Sequence, residues 1–265
     1  MNTILIFVIL AIIQGITEPL PVSSSGHLVI FKHFFDLMSD NAILEIMLHA
    51  GSLFAIILFY FKDIKSLFVN NLSFIFRKEA SHKEDFIFAV KLVIATIPAG
   101  IIGLLYKDAI TAALNDVKWV GWFYLITTGL LILPKIIKPS SKPLSMMHSF
   151  IIGCAQAVAL LPGVSRSGST IAISMALGIK PEEGMKFSFF MFIPIASIVI
   201  LSGSIDLVRS APDLTLWIAY GVSIIVSFLV TYYAMRWLSY IIKKDKYHYF
   251  ALYTLLLSLF ILFFL

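Results

Sequence analysis

Apolar residues fill this chain in long blocks separated by short polar runs. Six blocks are long enough to cross a bilayer as helices, when short or tilted crossings are admitted: Ile43 to Phe61, Phe86 to Tyr106, Val117 to Leu133, Met185 to Gly203, Leu214 to Met235 and Tyr249 to Leu265. Two more, Thr3 to Ile16 and Ser149 to Leu161, are too short to cross comfortably. Each runs into a small polar hexad and is followed by a second short apolar piece, Leu28 to Phe35 and Ile171 to Ile179. That pattern predicts a helical hairpin that dips into the membrane and returns. Irregular backbone at membrane depth is tolerated only where protein or a water-filled cavity surrounds it, so both hexads are expected to line a cavity. Thr3 to Ile13 has the length of a signal-peptide core. It lacks a basic segment before it and continues into the first polar loop, so it is expected to stay in the mature chain.

The two hexads are Val22-Ser23-Ser24-Ser25-Gly26-His27 and Val164-Ser165-Arg166-Ser167-Gly168-Ser169. The second lies 142 positions after the first, and Gln156 follows Gln14 at the same spacing. The cations say how the two copies are oriented. Lys62, Lys65, Arg77, Lys78 and Lys83 share one connection, Lys135, Lys138 and Lys142 another, Lys180 and Lys186 a third, and Arg236, Lys243, Lys244 and Lys246 a fourth. Lys32, Lys107, Lys118 and Arg209 remain for the opposite side, with Lys91 and Arg166 inside apolar segments. With the four clusters cytoplasmic, every crossing alternates and both termini fall outside. The expected fold is therefore an all-α integral membrane protein, one domain over 1–265, built as an inverted-topology repeat. Repeat one covers about 1–141 and repeat two about 142–265, each a re-entrant helical hairpin plus three transmembrane helices. Such repeats place a binding site at their interface.

Composition agrees with a membrane protein. Hydrophobic residues make up 60% of the 265 and charged ones 13%, against roughly 25% charged in a soluble domain. Mean hydropathy is +0.96. The net charge of +5 is spent in the short cationic runs, which excludes a nucleic-acid surface as its explanation. Cys154 has no partner for an intramolecular disulfide and is expected to be a small buried hydrophobe. Pro98 and Pro194 mark kinks in crossings. No Walker, zinc or CxxC pattern is present.

Serine hydroxyls, free backbone N–H groups and a guanidinium all donate to phosphate oxygens. Arg166, between Ser165 and Ser167 with Gly163 loosening the turn, reads as an anion clamp, aided by the N-terminus of a helix near Thr170. Glu18 is the only acid in the first hairpin loop; a general acid or base, a ligand for a divalent cation, a helix cap and an ion pair with Arg166 or His27 all suit it. His27 suits either proton exchange or a cap. Among Ser23, Ser24 and Ser25, the repeat singles out Ser24, because Arg166 is its counterpart; with Glu18 or His27 as base it would be a nucleophile. Glu45 and His49, one turn apart, have the spacing of a ligand pair, but read rather as a hydrogen-bonded polar pair in the bundle.

Gln14-Gly15-Ile16-Thr17-Glu18, followed by Leu20-Pro21 and the first hexad, resembles the first signature of the bacterial undecaprenyl pyrophosphate phosphatases linked to bacitracin resistance. Pro162-Gly163 with the second hexad and Thr170 resembles the second signature. The resemblance implies that Glu18, His27 and Arg166 are essential and Ser24 is the nucleophile. Gln14, Ser23, Ser25, Gly26, Gly163, Ser165, Ser167, Gly168 and Thr170 would bind the diphosphate. Many members carry glutamate where this chain has Gln14, which removes a two-carboxylate mechanism here and leaves Gln14 to orient substrate or metal-bound water. Pro19 and Ser25 replace a bulkier residue and a threonine. The implied activity is hydrolysis of a C55 polyprenyl diphosphate to its monophosphate in the bacterial cytoplasmic membrane, with the site open to the outside. A divalent cation, Mg or Ca, would bridge the diphosphate, with Glu18 its one candidate protein ligand. Bilayer lipids are the other partners, and a homo-oligomer is compatible with the sequence. The rival readings are a lipid-phosphate transporter, which shares the repeat architecture, and a lipid-binding scaffold.

Overall fold

A computed structural model describes residues 3–34, 42–106, 109–110, 117–137 and 140–265. Lys107, Lys138 and Phe35, named above, lie outside them. The described residues are helical: α1 (Thr3–Thr17), α2 (Ser24–Phe34), α3 (Ala42–Phe59), α4 (Phe61–Arg77), α5 (Lys83–Leu105), α6 (Val117–Ile136), α7 (Met146–Val158), α8 (Arg166–Ala176), α9 (Pro181–Ser210), α10 (Leu214–Lys243) and α11 (Tyr249–Phe264), with a short 3₁₀ turn at Ala80–His82.

Four stretches have the length and apolarity to cross a membrane: Ala80–Leu105, Val117–Ile136, Pro181–Ile205 and Leu214–Lys243. A fifth is available if Ile43–Phe59 and Phe61–Arg77, bent by 75° at their junction, count as one. Three shorter apolar helices, α1, α7 and α11, accompany them. At 1.5 Å per residue the 16 residues of α11 reach about 24 Å, short of a hydrocarbon core about 30 Å thick. The large apolar side chains left exposed, among them Leu104, Leu201 and Phe263, suit a lipid surround. Pro98 and Pro194 sit inside the continuous helices α5 and α9, as Pro134 does in α6.

Helices in lipid gain little from apolar burial and associate through close backbone approach and polar contacts. α1 and α3 both pack on α10, and α7 packs on α5. A Cβ on Gly51 would stand 2.5 Å from the Ile224 carbonyl oxygen, and one on Gly153 only 2.4 Å from that of Ala95. Buried hydroxyls tie the same seams: Ser52 lies 2.9 Å from Thr231 across α3 and α10, and Thr128 lies 2.8 Å from Thr254 across α6 and α11.

Two expectations are corrected. Cys154 is exposed rather than buried, on the wall of an open apolar groove between α5 and α7. In a membrane protein the outer face is itself apolar, so an apolar setting does not imply burial. The stretch from Lys62 to Arg77 is not only a charged connection but the helix α4. Phe68, Val69, Leu72, Ile75 and Phe76 are exposed along it, among Lys62, Lys65 and Arg77, which is the make-up of a helix lying in the membrane interface.

One end of the bundle is drawn together by polar contacts. Lys186 pairs with Asp63. The backbone N–H groups of Ser140 and Lys142, before α7, donate to the Gly178 carbonyl, after α8, at 3.2 and 2.8 Å. The chain thus enters α7 and leaves α8 at neighbouring points.

Candidate active site

Both polar loops end on a serine that caps the following helix, through different turns. After α1, the Glu18 N–H donates to the Gln14 carbonyl at 2.9 Å, and the chain then turns through Pro21 to Ser23, whose φ of 64° is left-handed. Such a conformation costs a non-glycine residue of order 1 kcal/mol or more and persists only where neighbours over-determine it. The Ser23 hydroxyl accepts from the Gly26 N–H at 3.3 Å, so α2 opens on a serine cap. In the second loop Gly163 takes φ 98°, and Ser165 caps α8 by accepting from the Gly168 N–H at 3.0 Å. α2 begins at Ser24 and α8 at Arg166, and both run 11 residues, so the two helix limits repeat at the spacing of the hexads. Each helix directs its positive end toward this region.

One helix, α6, holds both loops. The Tyr124 hydroxyl donates to the Ser23 carbonyl at 3.2 Å. One turn on, the Thr127 hydroxyl donates to the Gly163 carbonyl at 2.8 Å and accepts from the Ser165 N–H at 3.0 Å. A Cβ on Gly26 would meet the Tyr124 hydroxyl at 2.6 Å, so only glycine lets α2 approach so closely. The Tyr247 hydroxyl donates to the Gly168 carbonyl at 3.0 Å from the α10–α11 connection.

Glu18 is the centre. Its side chain is 6% exposed. Arg166 Nη2 donates to Oε1 at 2.7 Å, while Oε2 accepts from the Ser24 hydroxyl at 2.7 Å and from Gln14 Nε2 at 2.9 Å. Of the two pairings the sequence allowed for Glu18, Arg166 and His27, the structure makes the first. The guanidinium lies 4.1 Å from the Phe192 ring centre and its Nη1 makes no hydrogen bond among the described residues. Ser24, 142 positions before Arg166, therefore meets it on opposite oxygens of one carboxylate.

His27 lies apart from that centre. Its Nδ1 is 2.7 Å from the Ser23 carbonyl and 2.9 Å from the Tyr124 oxygen, and its Nε2 is 2.6 Å from the Tyr253 hydroxyl. A carbonyl only accepts, so Nδ1 carries the proton and Tyr253 donates to Nε2. None of its hydrogen bonds reaches Ser24 or Glu18. Removing the Tyr124 hydroxyl should loosen Ser23 and His27 together. Tyr124→Phe is expected to lower kcat about tenfold, the loss of roughly 1–1.5 kcal/mol typical of one hydrogen bond. Unchanged turnover in that variant would show that the α6 contact does not hold the loop.

The remaining residues divide. Ser25 is part-exposed beside Ser23, 3.3 Å between their hydroxyls. The Ser167 hydroxyl crosses to the first loop, donating to the Leu20 carbonyl at 3.0 Å. Thr170 is fully buried and spent on packing, 2.6 Å from Ser188 on α9, which sets it away from the exposed rim. Gln156 is buried with neither amide atom hydrogen-bonded among the described residues. Sequence reasoning missed Tyr124, Thr127 and Tyr253, polar side chains inside apolar segments, and Tyr247, in the cationic connection between α10 and α11, none of them with a motif around it. It also assigned His49 to Glu45, whereas Glu45 pairs with Lys32 at 2.5 Å and the His49 ring lies 3.1 Å from Gln14.

The donor set does not form a metal cage. No three His, Cys, Asp or Glu side chains cluster among the described residues, and both Glu18 oxygens are already engaged.

A many-helix membrane protein with serine, carboxylate and guanidinium gathered where two helix N-termini converge is built to hold and react with an anion. The family model for the bacitracin resistance protein BacA matches residues 7–260, and the chain belongs to that family. It is 41% identical over 264 residues to undecaprenyl-diphosphatase 2 of Bacillus thuringiensis (strain Al Hakam), covering 99% of this chain and 98% of that protein. It is 39% identical over 271 residues to the undecaprenyl-diphosphatase of Oceanobacillus iheyensis, with 99% and 97% covered. Undecaprenyl-diphosphatase 1 of Halalkalibacterium halodurans is 36% identical over 258 residues, with 97% and 94% covered.

Proposed function

We propose that this chain is an undecaprenyl-diphosphatase that cleaves the diphosphate with Ser24 as nucleophile and Glu18 as its base. The observation that carries the reading is the single carboxylate that accepts from Ser24 on one oxygen and from Arg166 on the other. Ser24 Oγ attacks the terminal phosphorus in line and passes its proton to Glu18 Oε2. The bond to the bridging oxygen breaks, and the lipid monophosphate leaves with that proton, which returns Glu18 to the carboxylate. Water then attacks the phosphoserine, giving its proton to Glu18, which passes it to Ser24 Oγ as the phosphorus–serine bond breaks and inorganic phosphate is released. Arg166 Nη1, the N–H groups at the starts of α2 and α8, and the Ser25 hydroxyl hold the phosphate oxygens as charge develops. His27, held between Tyr124 and Tyr253, keeps Ser23 in its left-handed turn and so aims Ser24. A divalent cation, if bound with the diphosphate, would add positive charge beside the phosphates, and Glu18 is the one carboxylate among the described residues of this site that could face it.

The prenyl chain needs an apolar path. The groove between α5 and α7 has a volume of about 690 Å³ and includes Leu160 and Leu161, which lead directly into Pro162 and the arginine loop. Its lining supports lateral entry of the tail from the bilayer.

The inverted repeat is supported on three counts. α7 and α8 have 13 and 11 residues, about 20 and 17 Å, too short to cross, and the hydrogen bonds of Ser140 and Lys142 to Gly178 bring their outer ends together. The pairing of α1 with α10 and of α7 with α5 exchanges under the repeat. The Lys186–Asp63 pair joins two of the cationic connections at one end. With that end cytoplasmic, both termini and the mouth of the site face outward.

Two measurements test the reading. Purified protein in detergent should release phosphate from farnesyl diphosphate. In a Cys154→Ser background, Ser25→Cys should react with an impermeant thiol reagent added outside intact cells, and a polyprenyl diphosphate should slow that reaction. Substrate binding without phosphate release would discard the phosphatase, and labelling only from the cytoplasmic side would reverse the orientation.

A further inference from the structure

His49 stands at the site without a part in the chemistry above. It comes from the middle of α3, its side chain is 31% exposed, and its Nδ1 lies 3.1 Å from Gln14 Nε2 and 3.5 Å from Glu18 Oε2. The amide of Gln14 has one orientation that satisfies these neighbours. Its nitrogen faces the Glu18 carboxylate, to which it donates at 2.9 Å, because its oxygen there would oppose a negative charge. The second hydrogen of the same nitrogen then goes to His49 Nδ1, so the imidazole accepts and carries its own proton on Nε2. Among the described residues Gln14 Oε1 makes no hydrogen bond, so the two bonds of its nitrogen are what fix the angle of the amide.

We propose that His49 is a positioning residue for phosphoryl transfer: through Gln14 it sets the direction from which Glu18 Oε2 is hydrogen-bonded, and so the lone pair that remains for Ser24. The inference rests on Glu18 acting as the base for Ser24. It explains how a chain with glutamine at position 14 manages with one carboxylate. An amide donor backed by an imidazole acceptor orients Glu18 by a neutral chain of hydrogen bonds, from His49 through Gln14 to Glu18, with Ser24 bonded to the same oxygen. The charges nearby are otherwise committed, Arg166 to Glu18 Oε1 and Lys32 to Glu45 one turn before His49.

The test is turnover of farnesyl diphosphate by purified variants, with thermal unfolding measured alongside. His49→Ala should lower kcat about tenfold and leave KM within about twofold, since Gln14 and His49 act on the base rather than on binding. His49→Gln, whose side-chain oxygen can accept the Gln14 N–H, should recover most of the rate, whereas the shorter His49→Asn should not. Gln14→Ala should match His49→Ala, and the double variant should be no slower than either, as expected of two links in one chain. If His49→Ala does not fold, the comparison of His49→Gln with His49→Asn decides. Equal rates for those two, a change confined to KM, or multiplied losses in the double variant would overturn the proposal. Glu18→Gln separates the levels: a fast Glu18→Gln enzyme removes the base itself, while wild-type rates in the His49 variants beside an inert Glu18→Gln remove only the role of His49.

Discussion

Arg166→Ala should lower kcat/KM for a polyprenyl diphosphate by on the order of 10³-fold, because it removes the fixed cation that meets the charge developing on the transferred phosphoryl group. The same change should destabilise the free protein. Glu18 keeps 6% of its side chain exposed, and loss of Arg166 leaves that carboxylate in apolar surroundings with only the Ser24 and Gln14 donors. Breaking a buried pair from one side typically costs about 3–5 kcal/mol. The two effects separate in the double variant Glu18→Gln/Arg166→Ala, which should regain much of the thermal stability and none of the activity. Arg166→Lys should restore little, since an ammonium cannot reach Glu18 and a phosphate with the spread donors of a guanidinium. Phosphate release and thermal unfolding in the same detergent check both. An alanine variant within a few-fold of wild-type turnover would remove the anion clamp from this site.

How much of this was legible in the chain follows from how each contact is made. The hexads were, because cap serines, glycines and an arginine in apolar text have few other uses, and their 142-residue spacing recurs in the limits of α2 and α8. The choice of Ser24 over Ser23 and Ser25 came from that spacing and from the resemblance to the phosphatase signature. Pairing of Glu18 with Arg166 could be named only as one of two options, since no periodicity links residues 148 positions apart. Tyr124, Thr127, Tyr247 and Tyr253 could not be found this way: each is an isolated polar group on a long helix or its connection, and only the packing shows which faces the loops. Glu45 and His49 illustrate the limit of helical spacing. A turn apart they share a face, yet they serve different partners, because Lys32 and Gln14 arrive from different helices. α4 was hidden for another reason. Its cations marked the segment as a connection, and the apolar face of Phe68, Leu72 and Ile75 needed a 3.6-residue reading that the charge count did not ask for.

Ser24→Ala and Glu18→Gln should fail in different ways. Glu18→Gln keeps a side chain of the same size beside Ser24 and removes the proton acceptor together with the negative charge paired with Arg166; loss of a positioned general base alone costs about 10² to 10⁴ in rate. Ser24→Ala removes the nucleophile and should cost at least as much, on the order of 10⁴, leaving whatever rate water achieves against a diphosphate still held by Arg166 and the helix ends. The covalent intermediate makes the distinction direct. Acid quench of wild-type enzyme during turnover should trap phosphate on the peptide containing Ser24. The trapped amount should fall in Glu18→Gln, where attack by serine and attack by water both lack a base, and it should vanish in Ser24→Ala. Ser24→Ala at near wild-type turnover, with no trapped phosphopeptide in the parent, would transfer the attack to a water molecule. Glu18 would then serve that water instead, and the 2.7 Å bond from Ser24 would be the contact that orients the carboxylate rather than the bond that is broken.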